Sequence, residues 1–395
     1  MEAQLLEWLT LLLRWLHVIT AIAWIGASFY FIWLDLSLQP PSRQSDAKGL
    51  GGELWAIHGG GIYEVGKYRS HPEQMPATLH WFKWEAYSTW LTGTALLIVI
   101  YYFKADAYLV GANLWVSSPS AAVATSVAYL IGGLVVYELL MRFVTKATGS
   151  AAIAVVALVA VLSFIAFQTF APRAAILHVG AVLATMMAGN VFLVIIPSQK
   201  AFVGAIEEGK AVDPALGLNA KARATHNNYL TLPVLFCMLS NHAAFVYGHP
   251  HAWMFVVAFS AVAAFARHYF NAKHRGSHQP WILVVAVLLF FGLIGLSAVT
   301  QTSAVADGLV TEEDAQIILT SHCTGCHTEQ PTMMGLTAPP GGMIFNQPEQ
   351  LHLHKQKVLD SLSTQFMPLG NLTGMTPEER SQLATYLNQT DYAGG

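Results

Sequence analysis

Five residues near the end of the chain, Cys323-Thr324-Gly325-Cys326-His327, have the spacing Cys-x-x-Cys-His. That spacing is the attachment signal for a c-type haem. Each thiol can form a thioether to a vinyl group, and His327 then supplies the proximal iron ligand. A redox dithiol has no need of the adjacent histidine. A zinc site needs two further ligands, and the one other cysteine, Cys237, lies far upstream in an apolar run. The expected sixth ligand is a methionine, which raises the potential. Met333, Met334, Met343, Met367 and Met375 are the candidates. Met367 leads because Pro368 stiffens the loop that would carry it, and Met343 is the runner-up. Behind that loop, Thr376-Pro377-Glu378-Glu379 reads as a helix start with a capping box. Leu383, Tyr386 and Leu387 follow at helical spacing.

A second set of candidates sits inside long apolar runs, where ionisable side chains are costly and point to function. Near one end of those runs lie Arg14, His17, His178, Asn241 and His242. Two neutral imidazoles on facing helices could ligate a b-type haem, with His17, His178 and His242 as candidates and Arg14 beside a propionate. The alternative is that these histidines only hydrogen-bond between helices. Near the other end lie Lys83, Glu85, Glu138, Asn190, His226, Asn227, Asn228, Arg267 and His268. They suit a polar, planar, anionic ligand. Asn190, Asn227 and Asn228 offer paired donors and acceptors. Lys83 or Arg267 could neutralise charge, and His226, His268 or Glu85 could move protons. Trp84, Tyr87 and Trp90 could supply a stacking wall. Against this, cations at span ends often snorkel and aromatic residues gather at interfaces.

The elements that must position these groups are read from composition. Only 11% of the 395 residues are charged and 54% are hydrophobic, against about 25% charged in ordinary globular chains. The chain is therefore read as an integral membrane protein, and its net charge of −3 argues against a nucleic-acid partner. Apolar runs long enough to cross about 30 Å of hydrocarbon fall near 5–34, 81–103, 122–144, 150–170, 174–197, 228–248, 251–271 and 280–301. The first is too long for a signal peptide. Covalent haem is attached outside the bacterial cytoplasm, so the C-terminal region is expected in the periplasm, and eight spans put the amino terminus there too. The positive-inside rule agrees. Odd-numbered connections and their flanks carry Arg43, Lys48, Lys67, Arg69, Lys83, Arg142, Lys146, Lys200, Lys210, Lys221, Arg223, Arg267, Lys273 and Arg275, whereas the even ones carry Lys104 and Arg173. Three glycines, Gly59 to Gly61, between two short apolar stretches suggest a hairpin or a loop over the membrane mouth. The segment 198–227 reads as a polar connection, and Ser303 to Ala306 as a linker.

The Met367 loop and the helix behind it resemble the end of a small class I cytochrome c. The rest of the chain resembles a second family. Its pieces are His17 through Gly26, His58-Gly59-Gly60-Gly61, Lys83-Trp84-Glu85-Ala86-Tyr87, Asn190 with Pro197 and Gln199, and His226-Asn227-Asn228-Tyr229 through Asn241-His242. Followed by a cytochrome c region, these resemble bacterial membrane-bound urate oxidases, also called urate hydroxylases. Together the two readings give an all-α architecture: an eight-helix transmembrane bundle over residues 1–303, then a periplasmic class I cytochrome c domain over 304–395.

The resemblance implies conversion of urate to 5-hydroxyisourate in purine catabolism. Electrons would leave through the haem to a soluble cytochrome c or a respiratory-chain oxidase in the bacterial inner membrane. It carries over no established catalytic residue. Motif position and chemistry mark His226, Asn227, Asn228, Glu85 and His268 as catalytic candidates. Lys83, Trp84, Tyr87, Asn190, Arg267 and His58 are the substrate-binding candidates. The main competing reading is a non-catalytic haem subunit that serves a separate dehydrogenase or oxidises quinol. A transporter with a redox sensor is a third.

Overall fold

The structure is a computed structural model and describes residues 2–111, 114–143, 148–300, 309–333, 336, 338–363 and 366–389. The expected linker at Ser303 to Ala306 and Met334 lie outside the described residues. Eight long helical stretches come first. They are α1 (Glu2–Ser37), α2 (Trp84–Leu96), α3 (Pro119–Phe143), α4 (Thr148–Thr169), α5 (Pro172–Gly189), α6 (Pro214–Ser240), α7 (Ala252–His274) and α8 (Pro280–Thr300). Two of them widen into π-helical turns, α2 at Leu97–Tyr102 and α5 at Asn190–Ile195, and α5 then continues as Ile196–Glu207.

Six of these stretches are long and apolar enough to cross a membrane: α1, α3, α4, α5 with its extension, α7 and α8. The two others are α2 and α6, which carry many of the polar candidates. Their neighbours, more than lipid, set what their side chains must satisfy. Helix α5 is the hub, packing against α2, α3, α4 and α6, while α6 also meets α1 and α7. Its small residues allow close approach. A Cβ on Gly133 of α3 would lie 2.3 Å from Val182 of α5, and one on Gly180 of α5 would lie 2.9 Å from Cys237 of α6. Cys237 is itself fully buried there. Helix α8 packs chiefly on α7 and exposes most of its apolar surface, as suits a lipid-facing rod.

Three expectations are corrected. The sixth run, 228–248, begins too late and ends too late: the helix is Pro214–Ser240. Asp213 caps it by accepting from Ala215 N–H at 2.9 Å, and Pro214 takes the first helical position. Asn241 is thus the C-cap and His242 lies in the turn beyond, exposed. The segment 198–227 is mostly helix, so the connection shrinks to 208–213. The chain is also mostly helical, not wholly so. Strands β1 (Leu50–His58) and β2 (Gly61–Tyr68) pair antiparallel. Their turn has Gly59 at φ +57 and Gly60 at φ +80, the left-handed pair that a two-residue hairpin turn demands.

After residue 308 the chain builds a separate core. Helices α9 (Glu312–His322), α10 (Lys355–Ser363) and α11 (Pro377–Gln389) enclose Ile318, Leu319, Phe345, Leu351, Leu383 and Leu387. The anticipated capping box forms at Thr376, which accepts from Glu379 N–H at 3.1 Å while Glu379 Oε2 accepts from Thr376 N–H at 2.7 Å. A short helix, Ala105–Tyr108, lies against the Leu369–Asn371 turn of this region. The connection after α2 and the C-terminal region therefore share a side.

Candidate functional site

In the C-terminal region the Cys-x-x-Cys-His motif follows the end of α9 as one tight turn. Cys323 carbonyl accepts from Cys326 N–H at 3.1 Å and His327 N–H at 2.9 Å. Both thiols are free, and burial pushes the Cys323 thiol up to about 12. His327 is buried beside the Phe345 ring, centroids 4.9 Å apart. Its Nδ1 donates to Met343 carbonyl at 3.0 Å, and among the described residues nothing takes Nε2. An imidazole held by one nitrogen with the other free is how ligating histidines are oriented. Two thiols and this histidine fit a covalent haem. Met343 is occupied on the histidine side, with its side chain packed on the core. Met367 sits in a loop held by Arg380, which donates to Met367 carbonyl and, at 3.0 Å, to Asn371 Oδ1. Met333 lies 3.2 Å, sulfur to sulfur, from Cys326, and Met375 is buried in the core.

Among the N-terminal helices the sequence His226-Asn227-Asn228-Tyr229 divides its side chains around α6, because each residue turns about 100° from the last. Asn227 faces α5. Its Nδ2 donates to Met187 carbonyl at 3.0 Å and its Oδ1 accepts from Asn190 Nδ2 at 2.8 Å. Asn190 opens the π-helical turn, a distortion that recurs at functional sites. Arg223, one turn before Asn227, donates to Asn190 Oδ1 at 3.0 Å and grips Glu138 through two bonds of 3.0 and 2.7 Å. Because Asn190 Oδ1 faces a guanidinium, its Nδ2 is the group that reaches the Tyr137 hydroxyl, at 3.1 Å. The tyrosine proton then points at His226 Nδ1, 2.9 Å away.

Asn228 faces α7 instead. Its Oδ1 accepts from Arg267 Nε at 3.0 Å and from Asn271 Nδ2 at 2.9 Å, both on α7. The Arg267 guanidinium carbon lies 3.9 Å from the centroid of the Phe29 ring of α1. Three buried atoms here have no partner: Asn228 Nδ2, Arg267 Nη2 and Asn271 Oδ1. The Tyr229 hydroxyl pairs with His268 Nδ1 at 2.8 Å. Tyr229 and His268 also line a cavity of about 1150 Å³ between α3, α4, α6 and α7, as do His226, Arg223 and Glu138. Its remaining wall is largely valine and alanine.

The structure thus brings Asn190, Asn227 and His226 into one network and puts Asn228 with Arg267 in another. Lys83, Trp84 and Tyr87 join neither. Trp84 is 65% exposed, Lys83 lies 6.0 Å above its ring, and Tyr87 packs edge-on against Phe192. Trp90 donates to Thr185 at 3.2 Å. Glu85 leaves Oε2 buried without a partner. His58 is exposed beside the hairpin turn. Of the residues sequence reasoning left aside, Phe29 and Asn271 stand in the second network and Tyr137 in the first.

The three b-haem candidates differ. His178 donates from Nδ1 to Ala174 carbonyl and accepts at Nε2 from Ser126, both at 2.7 Å, with Phe170 stacked on its ring at 4.1 Å. It has no nitrogen free for iron, and His242 is exposed. His17 alone is oriented as a ligand would be, with Nδ1 3.1 Å from Thr89 carbonyl. A bis-histidine site built on His178 does not fit this packing.

A family model described as urate oxidase N-terminal matches residues 3–298. No curated protein and no solved structure matches the chain.

Proposed function

The chain belongs to the urate oxidase N-terminal family, and on that premise we propose that it is a membrane-bound urate hydroxylase with its own c-type haem. The observation that carries this reading is the succession within one chain: a family match over 3–298, then Cys323, Cys326 and a His327 whose Nε2 is left open. The reaction balances as urate plus water giving 5-hydroxyisourate, two protons and two electrons. A haem held by Cys323, Cys326 and His327, with Met367 as sixth ligand, would supply a one-electron exit toward a soluble cytochrome c or a respiratory-chain oxidase. The chain's own residues bind and orient the anion, exclude bulk water and hold protons at the α6 polar layer.

Membrane placement rests on the six apolar helices. We extend it to eight spans in the bacterial inner membrane, since α2 and α6 occupy the positions of the remaining runs. With an even number of spans both ends lie in the periplasm. The contact of Ala105–Tyr108 with Leu369–Asn371 supports that order, because the second connection then faces the haem region.

Purified full-length protein tests the proposal. Urate alone, with no partner protein, should reduce the haem and release 5-hydroxyisourate. Cys323→Ser combined with Cys326→Ser should keep urate binding and stop steady turnover without forming peroxide. Peroxide formed in step with urate consumed would make oxygen the oxidant. The cavity walls of Val155, Val156, Val159 and Val257 favour a second reading, a site for a lipid-soluble quinol. Haem reduction by quinol and not by urate would select it.

A further inference from the structure

We propose that Arg267, Asn228 and Asn271, with Phe29, form the recognition site for the planar purine anion, on the α7-facing side of α6 and apart from the Asn190 network. The proposal rests on the urate reading above. Its basis is a hydrogen-bond pattern left incomplete where incompleteness is expensive. Arg267 is 6% exposed, Asn271 2% and Asn228 fully buried. Buried polar groups are nearly always paired, and a buried cation is costly without a counter-ion. Among the described residues no carboxylate pairs with Arg267.

Side-chain flips do not repair the pattern. A guanidinium can only donate, so Asn228 must turn Oδ1 toward Arg267 Nε, and its Nδ2 is left over. Asn271 must donate Nδ2 to that same oxygen, so its Oδ1 is left over. The result is two open donors, Asn228 Nδ2 and Arg267 Nη2, beside one open acceptor, Asn271 Oδ1. A simple halide would satisfy the donors and repel the acceptor. An oxopurine anion presents ring carbonyls next to ring N–H groups, with its charge spread over a flat surface. That edge carries the kinds of acceptor and donor that the three atoms lack. The Phe29 ring lies 3.9 Å from the guanidinium carbon and offers apolar surface beside the open atoms, and Phe29 is the half-exposed member of the four.

The test uses full-length holoenzyme with its haem chemically reduced, so that urate binds without turning over. Binding is read by equilibrium titration and by the urate-dependent rise in Tm. Arg267→Met should weaken urate binding at least thirtyfold, yet leave the ligand-free Tm unchanged or higher, because it removes an uncompensated charge. Asn271→Leu removes the open acceptor and leaves Asn228 Oδ1 its bond from Arg267, so the ligand-free Tm should be unchanged or higher while urate weakens at least tenfold. A residue with a purely structural role would lower the Tm instead. If Arg267→Met loses its haem, Asn271→Leu decides, since it leaves the buried guanidinium in place. Wild type that binds urate, with either haem-retaining variant binding within threefold of it, overturns the proposed site and spares the urate reading. Wild type that neither binds nor oxidises urate overturns both.

Discussion

The two faces of α6 hold similar residues in opposite states. Toward α3 and α5, Arg223 has Glu138, Asn190 has three partners, and Asn227 has two. Toward α7, Arg267, Asn228 and Asn271 each keep an atom unpaired. One asparagine-arginine cluster is finished and the other is waiting. Polar groups in a bilayer must be satisfied from within the protein, so a finished cluster can act as scaffold. An unfinished one needs a ligand. The contrast also explains why α6 is less apolar than its neighbours: its polar residues pair with the adjoining helices.

Breaking the finished side should show the largest effect. Glu138→Leu strands Arg223, whose side chain is 12% exposed beside a Glu138 that is 25% exposed. The pair is only part-buried and Arg223 keeps Asn190 Oδ1, so about 3 kcal/mol is expected, the low end for breaking a buried pair. Unfolding of the detergent-solubilised protein should register that loss, and adding Arg223→Met should recover part of it. If Glu138→Leu is no more harmful than Arg267→Met, the two faces are not different in kind.

A smaller effect separates packing from polarity. Gly133→Ala places a methyl 2.3 Å from Val182 Cγ2, forcing α3 away from α5 and carrying Tyr137 with it. Overpacking of this sort costs about 1–3 kcal/mol. Tyr137→Phe keeps the packing and removes the hydroxyl alone. Asn190 Nδ2 retains Asn227, while His226 Nδ1 loses its partner, so about 1 kcal/mol is expected. The same thermal unfolding assay ranks the two, and a larger loss from Tyr137→Phe would mean the hydrogen bonds, not the close approach, hold α3 in place.

How much of this was legible depended on whether the signal is local. Cys323 to His327 and the Thr376 cap are contiguous, and both can be read off the chain. The membrane clusters are not contiguous. Asn227 and Asn228 are neighbours in sequence, which invites grouping them with Asn190, but helical rotation sends them to different helices. Phe29 looks like any aromatic in an apolar run. Asn271 did leave a signal: it stands four residues after Arg267 and so shares its face. The ends of α6 were misplaced because an apolar window cannot see a helix whose first turns protrude and whose middle is polar for a reason. Which histidine has a free nitrogen is a tertiary fact, visible for His17 and His178 only once their partners are in place.

The smallest effect extends the comparison out of the membrane, to a hydrogen-bonded pair that water can replace. Thr376 and Glu379 cap α11 reciprocally, with Thr376 exposed. Removing the hydroxyl by Thr376→Ala should cost about 0.5–1 kcal/mol, because solvent takes up the freed N–H. The cap should also titrate. The backbone N–H of Thr376 is the largest of the influences that hold the Glu379 carboxyl below its usual range, and His322 adds to it. A depressed carboxylate contributes its full stability above its unfolded value and loses it as pH falls through the folded one. Glu379→Gln should therefore narrow the gap between neutral and acidic stability of the C-terminal region, read as its thermal melting at each pH. An equal acid loss in wild type and Glu379→Gln would show that this carboxylate contributes nothing, and that an exposed cap is even less consequential than the contrast with Glu138 requires.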